Sequence, residues 1–388
     1  MINFDFISPT KLYFGKDKEN EVGSIINNYG FKKVALVYGG GSIKKIGLYE
    51  KVIKSLNDNN ISYIEIPNVE PNPKLSHVKN AIKLLKDENI ELVLAVGGGS
   101  VIDAAKSISH GLCYDGDPFD FNSFKKVSTK ALPVGVILTL SAAGSELSNS
   151  CVISNDEVIP FKKNGFTSDL NRPLFAICNP ELTYSVNKFQ TGCGIVDILM
   201  HTLERFVNTT DSCMLSEQFA IGLMKTVLHY GKIAINEPTN YEARANLMLA
   251  SSYSHNGLTG LGKKQFMRVH GLEHSLSGCY DEVAHGAGLS ILWPAWCLFV
   301  LDEPRANAQL KVLAKELFNK DSALEGIMEL KKYFKEIGMP VRLSELELNR
   351  PLDIEEIALS YSNNKTKIVD DFKPIDYKAC VEIFNIAK

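Results

Sequence analysis

The stretch ELVLAVGGGSVIDAAK, residues 91–106, decides the fold. An unbroken aliphatic run meets three glycines and opens at once into helical spacing, which is how a buried parallel strand turns into its crossover helix. The same grammar repeats outward. KKVALVY runs into GGG and then SIKKIGLYEKVIKSLNDN, SYIEI precedes KLSHVKNAIKLLKDEN, and LPVGVILT and PLFAIC supply later strands. Alternation of this kind predicts an α/β domain built on a parallel sheet. After CNPELTYSVNK the strand signals stop. Segments 212–235, 240–256, 305–318 and 322–337 carry apolar residues three and four apart, so the second half is expected to be all helical. Pro173 and Pro180 punctuate the change, and the expected domains are residues 1–180 and 181–388.

Bulk properties narrow the class. The 388 residues are 45% hydrophobic and 22% charged, which suits a globular protein of two domains. A net charge of -3, with Lys and Arg scattered, gives nucleic acid nothing to bind. The opening MINFDFISPTKLYF holds Asp5 and Pro9 where a secretory leader needs an apolar core. The greasiest run, GLSILWPAWCLFVL, is broken by Pro294 and falls short of the roughly 20 residues a bilayer requires. It reads as a buried helix, and no membrane association is expected. Eight cysteines without a CxxC pair argue for thiols in a reducing cytoplasm.

Two glycine turns stand out: Gly39, Gly40, Gly41 and Ser42, and Gly97, Gly98, Gly99 and Ser100. Bare backbone admits a phosphate closely, and the helix start behind it offers free amides and the positive end of its dipole. Neither run matches GxGxxG, and the first holds no carboxylate for ribose hydroxyls. That leaves room for a ribose 2′-phosphate, with Ser42, Lys44 or Lys45 as partners. A third turn, TLSAAGSELS from Thr139, packs hydroxyls and small residues after a strand.

Chemistry concentrates in the second half. GIVDILMHTLERF places Asp197 and His201 four apart, on one helical face. VHGLEH repeats that spacing with His270 and His274, and His285 follows beyond a turn. One carboxylate with imidazoles suits zinc or ferrous iron better than magnesium or calcium, without separating them from cobalt or nickel. Spacing alone does not sort the three histidines. His77, His110, His229 and His255 lack such neighbours and read as structural or surface residues.

Five ordered motifs, GGGSIKKIGLYEKV, AVGGGSVIDAAK, GSE, NPELTYSVNKFQTGCGIVDILMHTLE and HGLEHSLSGCYDEVAHGAG, give the chain its likeness. It resembles the iron-containing (group III) alcohol dehydrogenases, in the branch of NADPH-dependent butanol dehydrogenases and aldehyde reductases. The resemblance implies an N-terminal dinucleotide-binding domain and a helical metal-binding domain. It implies Asp197, His201, His270 and His285 as metal ligands and His274 as the proton-transferring residue. Gly97, Gly98, Gly99 and Ser100 fall where the pyrophosphate binds, and Thr139 and Leu140 along the cofactor. Asp103 falls close to the nicotinamide side. Lys163 matches a family lysine near the cofactor, with Lys162 leaving the match ambiguous by one. The GGxS pattern at Gly39 to Ser42 replaces the aspartate of NAD-using relatives, implying NADP(H). Two departures are visible: Ala142 and Ala143 replace a threonine-glycine pair, and Asn179 replaces an aspartate.

The expected activity is metal-dependent interconversion of butanol-like primary alcohols and aldehydes with NADP(H), in a cytoplasmic homodimer. Three rivals are weighed. A glycerol or polyol dehydrogenase using NAD should want a polar surround, whereas LSILWPAWCLF is apolar. A lyase like dehydroquinate synthase should show a dense basic set, of which only Lys263, Lys264 and Arg268 are present. A binding protein with a structural ion should show a cysteine-rich site.

Overall fold

The computed structural model describes residues 1–388. The chain divides into two compact units, Ile7–Val186 and Asn187–Lys388 with Met1–Phe6. This division lies later than the expected residue 180, for a local reason. Asn179 accepts a hydrogen bond from the Glu181 amide (3.1 Å) and starts a 3-10 turn over Pro180–Thr183, which still follows the last strand. Residues 1–6 go with the helices because the Ile2 amide donates to the Gly262 carbonyl at 2.9 Å.

In Ile7–Val186 the strands are β1 (Lys11–Phe14), β2 (Lys33–Tyr38), β3 (Ser62–Ile66), β4 (Leu92–Gly97), β5 (Val134–Leu138), β6 (Ser150–Asn155), β7 (Lys162–Thr167) and β8 (Phe175–Cys178). The helices are α1 (Val22–Asn28), α2 (Ser42–Lys45), α3 (Leu48–Asp58), α4 (Leu75–Leu85), α5 (Gly99–Gly111) and α6 (Phe119–Asn122). Six strands form a sheet in the order β1-β8-β5-β4-β2-β3, every neighbouring pair parallel. β4 is buried along its whole length, which is why its sequence is uniformly aliphatic rather than alternating. Sequence reading passes over β1, whose four residues are too few to show a pattern, and over the separate antiparallel pair β6 and β7. From β2 the chain proceeds to β3 on one side, and from β4 to β5 on the other. The switch in direction therefore lies between β2 and β4, the two strands that end in glycine runs. Open parallel sheets bind ligands at this position.

The other unit contains α7 (Lys188–Phe206), α8 (Met214–Asn236), α9 (Tyr241–His255), α10 (Arg268–Cys279), α11 (His285–Phe299), α12 (Pro304–Phe318), α13 (Ala323–Glu336), α14 (Ile354–Tyr361) and α15 (Tyr377–Ile386). Its helix starts are legible in side chains: Asn187 caps α7, Asn240 caps α9, and Ser322 with Glu325 forms a capping box on α13. α11 is apolar all round because it runs through the core, with Trp293 and Trp296 each 1% exposed. The apolar run LSILWPAWCLF thus reflects core packing and not an apolar substrate surround. No helix is long and apolar enough to cross a membrane.

Candidate active site

Three helices bring the metal candidates together. On α7, Asp197 and His201 lie one turn apart and face inward, 4% and 5% exposed. α10 contributes His270, and α11 begins at His285. Gly286 makes this last approach possible, since a Cβ there would lie 2.3 Å from the carbonyl oxygen of Cys193 on α7. Asp197 Oδ1 is the common point: it lies 3.2 Å from His201 Nδ1, 3.5 Å from His270 Nε2 and 3.8 Å from His285 Nε2.

Asp197 Oδ1, His201 Nδ1 and His270 Nε2 are all buried without a hydrogen-bond partner. Burying a polar atom unpaired costs about 1–3 kcal/mol, so three such atoms aimed at one point fit a cation-binding site. The donor set, one carboxylate and three imidazoles, suits a borderline divalent ion. Burial, with His255, His270 and Arg205 close by, holds His201 well below its ordinary pKa, so its nitrogen is free to ligate. Burial also opposes charge on His270, but Glu204 and Asp197 outweigh it and push its pKa up to about 9.

His274 stands beside this set. Its ring centroid is 6.4 Å from that of His270 and 5.5 Å from that of His285, and it is half-buried. The spacing of His270 and His274 suggested two groups gripping one ion; the structure instead places His270 with Asp197 and His201, and His274 in an adjoining group with Glu273 and His285 whose ligand atoms also lie within 4.8 Å of one another.

In the α/β unit, Gly97 ends β4, Gly98 is the N-cap of α5, and Ser100 lies in its first turn. No side chain caps that helix, which leaves first-turn amides to a ligand. The Thr139 amide donates to Gly97 O at 3.0 Å, and Leu140 would be 3.2 Å from a Cβ at Gly98, so both pack on this turn. Ala143 lies close against Gly99, 3.1 Å from a Cβ built there. At the other turn, a Cβ on Gly40 or Gly41 would meet nothing within 4 Å. Ser42, Lys44 and Lys45 are exposed beside it. Glu65 on β3 is engaged by the hydroxyls of Tyr38 and Tyr49.

Asp103 is tied down: its carboxylate accepts from Ser145 Oγ at 2.6 Å and from the Val152 amide at 3.0 Å. Burial raises its pKa, against the pull of Lys106, Ser145, Val152 and Lys163. Lys163 is 9% exposed, whereas its neighbour Lys162 is exposed, so strand alternation selects Lys163 as the inward residue. Asn179, the replaced aspartate, donates to Glu19 Oε2 at 3.0 Å while capping its turn.

Sequence reading missed four residues around the metal candidates. Glu204 accepts from His270 Nδ1, and Glu273 from His285 Nδ1. The buried Arg205 donates to the His201 carbonyl and to His255 Nδ1. His255 itself, read as structural or surface, lies tilted against the His201 ring, with centroids 4.0 Å apart. A glutamate three places after each of His201 and His270 was the available signal.

Comparison with known proteins gives the chain a family. The family model described as iron-containing alcohol dehydrogenase matches residues 9–180, and that of the Fe-containing alcohol dehydrogenase C-terminal region matches 191–387. The chain belongs to the iron-containing alcohol dehydrogenase family. It is 39% identical over 390 residues to the NADH-dependent butanol dehydrogenase A of Clostridium acetobutylicum, covering 99% of each chain. It is 33% identical over 360 residues to the NADPH-dependent aldehyde reductase YqhD of Escherichia coli, covering 90% of each. The crystal structure of NADH-dependent butanol dehydrogenase A from Thermotoga maritima superposes with a TM-score of 0.92 at 36% identity, covering 100% of this chain and 99% of that one. As an iron-containing alcohol dehydrogenase, the chain is an alcohol or aldehyde oxidoreductase working with a divalent metal and a nicotinamide cofactor. That sets aside the lyase and binding-protein readings, and the polyol reading is not favoured. Its relatives divide between NADH and NADPH in their names, so family membership leaves the expected NADP(H) preference open.

Proposed function

We propose that this iron-containing alcohol dehydrogenase reduces butanol-like aldehydes to primary alcohols with NADPH, and runs in reverse with NADP+. The observation that carries the reading is the convergence of buried, unpartnered Asp197 Oδ1, His201 Nδ1 and His270 Nε2. With His285 these residues would hold Fe2+ or Zn2+, the same donors also suiting Co2+ or Ni2+. When bound, the metal supplies Lewis-acid polarisation of the carbonyl and the nicotinamide supplies the hydride.

The chain's own residues do the rest. His274, half-buried beside His285, delivers the proton to the product oxygen and recovers it from solvent, a role typically worth about 10² to 10⁴-fold. The α5 amides and the turn of Gly97, Gly98 and Gly99 take the pyrophosphate, with Thr139 and Leu140 against the cofactor. Asp103 and Lys163 order the nicotinamide side. The open space at Gly40 and Gly41, with Ser42, Lys44 and Lys45 alongside, supports a 2′-phosphate. Butanol-like substrates are supported by the butanol dehydrogenase relatives. Eight free thiols support a cytoplasmic setting, and exposed apolar residues such as Met214 and Leu215 support a homodimer.

The test is loss of reduced-nicotinamide absorbance with butyraldehyde, using NADPH and NADH separately, before and after chelation. Chelator-sensitive turnover preferring NADPH is expected. Equal turnover after complete metal removal would refute the metal role, and preference for NADH would refute the cofactor assignment.

A further inference from the structure

Two of the three ligand helices carry the same four-residue phrase, HTLE at 201–204 and HGLE at 270–273. In each, the histidine faces the metal candidates, and the glutamate lies three places on, along the same helix face. The glutamate does not serve its own histidine. Glu204 on α7 reaches the ring Nδ1 of His270 on α10, and Glu273 on α10 reaches the ring Nδ1 of His285 on α11. Each ligand helix thus holds the ligand of the next.

From this we infer that Glu204 and Glu273 are positioning residues that set the metal affinity by locking His270 and His285 with Nδ1 protonated and Nε2 aimed at the ion. The inference rests on the metal reading above. Both nitrogens facing Asp197 Oδ1 are indeed Nε2. A carboxylate on Nδ1 fixes the ring orientation and raises the basicity of the opposite nitrogen.

The local packing is built around these two carboxylates. Glu204 Oε2 also accepts from the Val269 amide at 2.8 Å, and Oε1 from the His270 amide at 3.2 Å. These belong to the first turn of α10, whose own N-cap Met267 offers no side-chain bond. One side chain from α7 therefore both caps α10 and aims its histidine. For Glu273, the room comes from α11: a Cβ at Gly288 would stand 2.7 Å from Glu273 Cγ. Glu204 is 3% exposed and Glu273 is fully buried, so neither acts through solvent.

The test is zinc binding by the metal-free full chain, in competition with a chromogenic chelator. It compares the parent, Glu204→Gln, Glu273→Gln and His285→Ala, with thermal unfolding of each metal-free protein as the fold control. The parent should take up one tightly bound zinc and His285→Ala should not; a parent that binds none would overturn the metal reading itself. Given a binding parent, each Glu→Gln variant should bind zinc 10- to 100-fold more weakly. Glu204→Gln also disturbs a helix cap, so Glu273→Gln, a mid-helix change, decides. Zinc affinity within twofold of the parent in a folded Glu273→Gln overturns the inference. Nitrogen-15 histidine spectra of the zinc-loaded chain supply a second readout. The strongly hydrogen-bonded Nδ1 proton of His285 should be present in the parent and absent in Glu273→Gln, and its persistence would also count against the positioning role.

Discussion

His270 and His274 share a helix and differ in what they face, and that difference should be measurable. His270→Ala removes one of the converging nitrogens, so protein purified without added ions should lose its metal. His274→Ala should keep the metal, by elemental analysis, and lose about 10² to 10⁴-fold in kcat. Metal loss in both variants would show that His274 is a ligand. At the other turn, Gly39→Asp introduces a carboxylate where a Cβ fits, 3.4 Å from the Val69 carbonyl. It should raise the KM for NADPH at least tenfold while leaving NADH turnover intact, and an unchanged KM ratio would argue against a 2′-phosphate there. Spacing in the sequence nominated every one of these histidines. It left their roles unsorted because the face that α10 turns toward α7 is a fact of packing, invisible in a one-dimensional pattern. His255 escaped for the same reason, since it reaches His201 only through the fold.

At the scale of elements, the loop after β5 is held by one buried ammonium. Lys106 on α5 is fully buried and donates to Ser145 O (2.7 Å), Ser145 Oγ (2.8 Å) and Ser150 O (2.8 Å). Burial lowers its pKa, and Asp103 is the chief group opposing that. The loop so anchored begins with Thr139 and Leu140 on the Gly97 turn. Lys106→Met leaves Asp103 and the loop oxygens without their cation, and should cost about 3–5 kcal/mol. Chemical denaturation measures the loss, and cofactor affinity should fall with it; a variant as stable as the parent would remove Lys106 from this role. The helix and strand pattern around this loop was readable because long apolar runs and caps are local. β6 and β7 were not, since Lys162, Lys163 and Asn164 have no strand signature and become a hairpin by pairing with 153–155.

For the whole molecule, pH stability contains a contribution from His110, remote from the metal candidates in sequence and held between Ser128 Oγ (2.6 Å) and Asn171 Oδ1 (2.8 Å). Burial pulls its pKa down to about 4, from an ordinary 6.5. The unfolded chain therefore takes up this proton first as pH falls, and stability present above pH 6.5 drains away toward pH 4. The full effect is about 3 kcal/mol. In thermal unfolding of the metal-free protein, His110→Asn should start less stable at pH 7 and show a shallower decline with acid than the parent. Parallel curves would mean that His110 titrates normally in the folded state. A consequence of another kind follows from the sheet order. β1 finds its partner only in β8, and the Glu19 to Asn179 bond closes the same gap across 160 positions. During synthesis the first strand to leave the ribosome has to wait, unzipped on its future inner edge, until the last one emerges. The α/β unit is thus committed to finishing late, with a stretch of early chain in need of shelter from its neighbours.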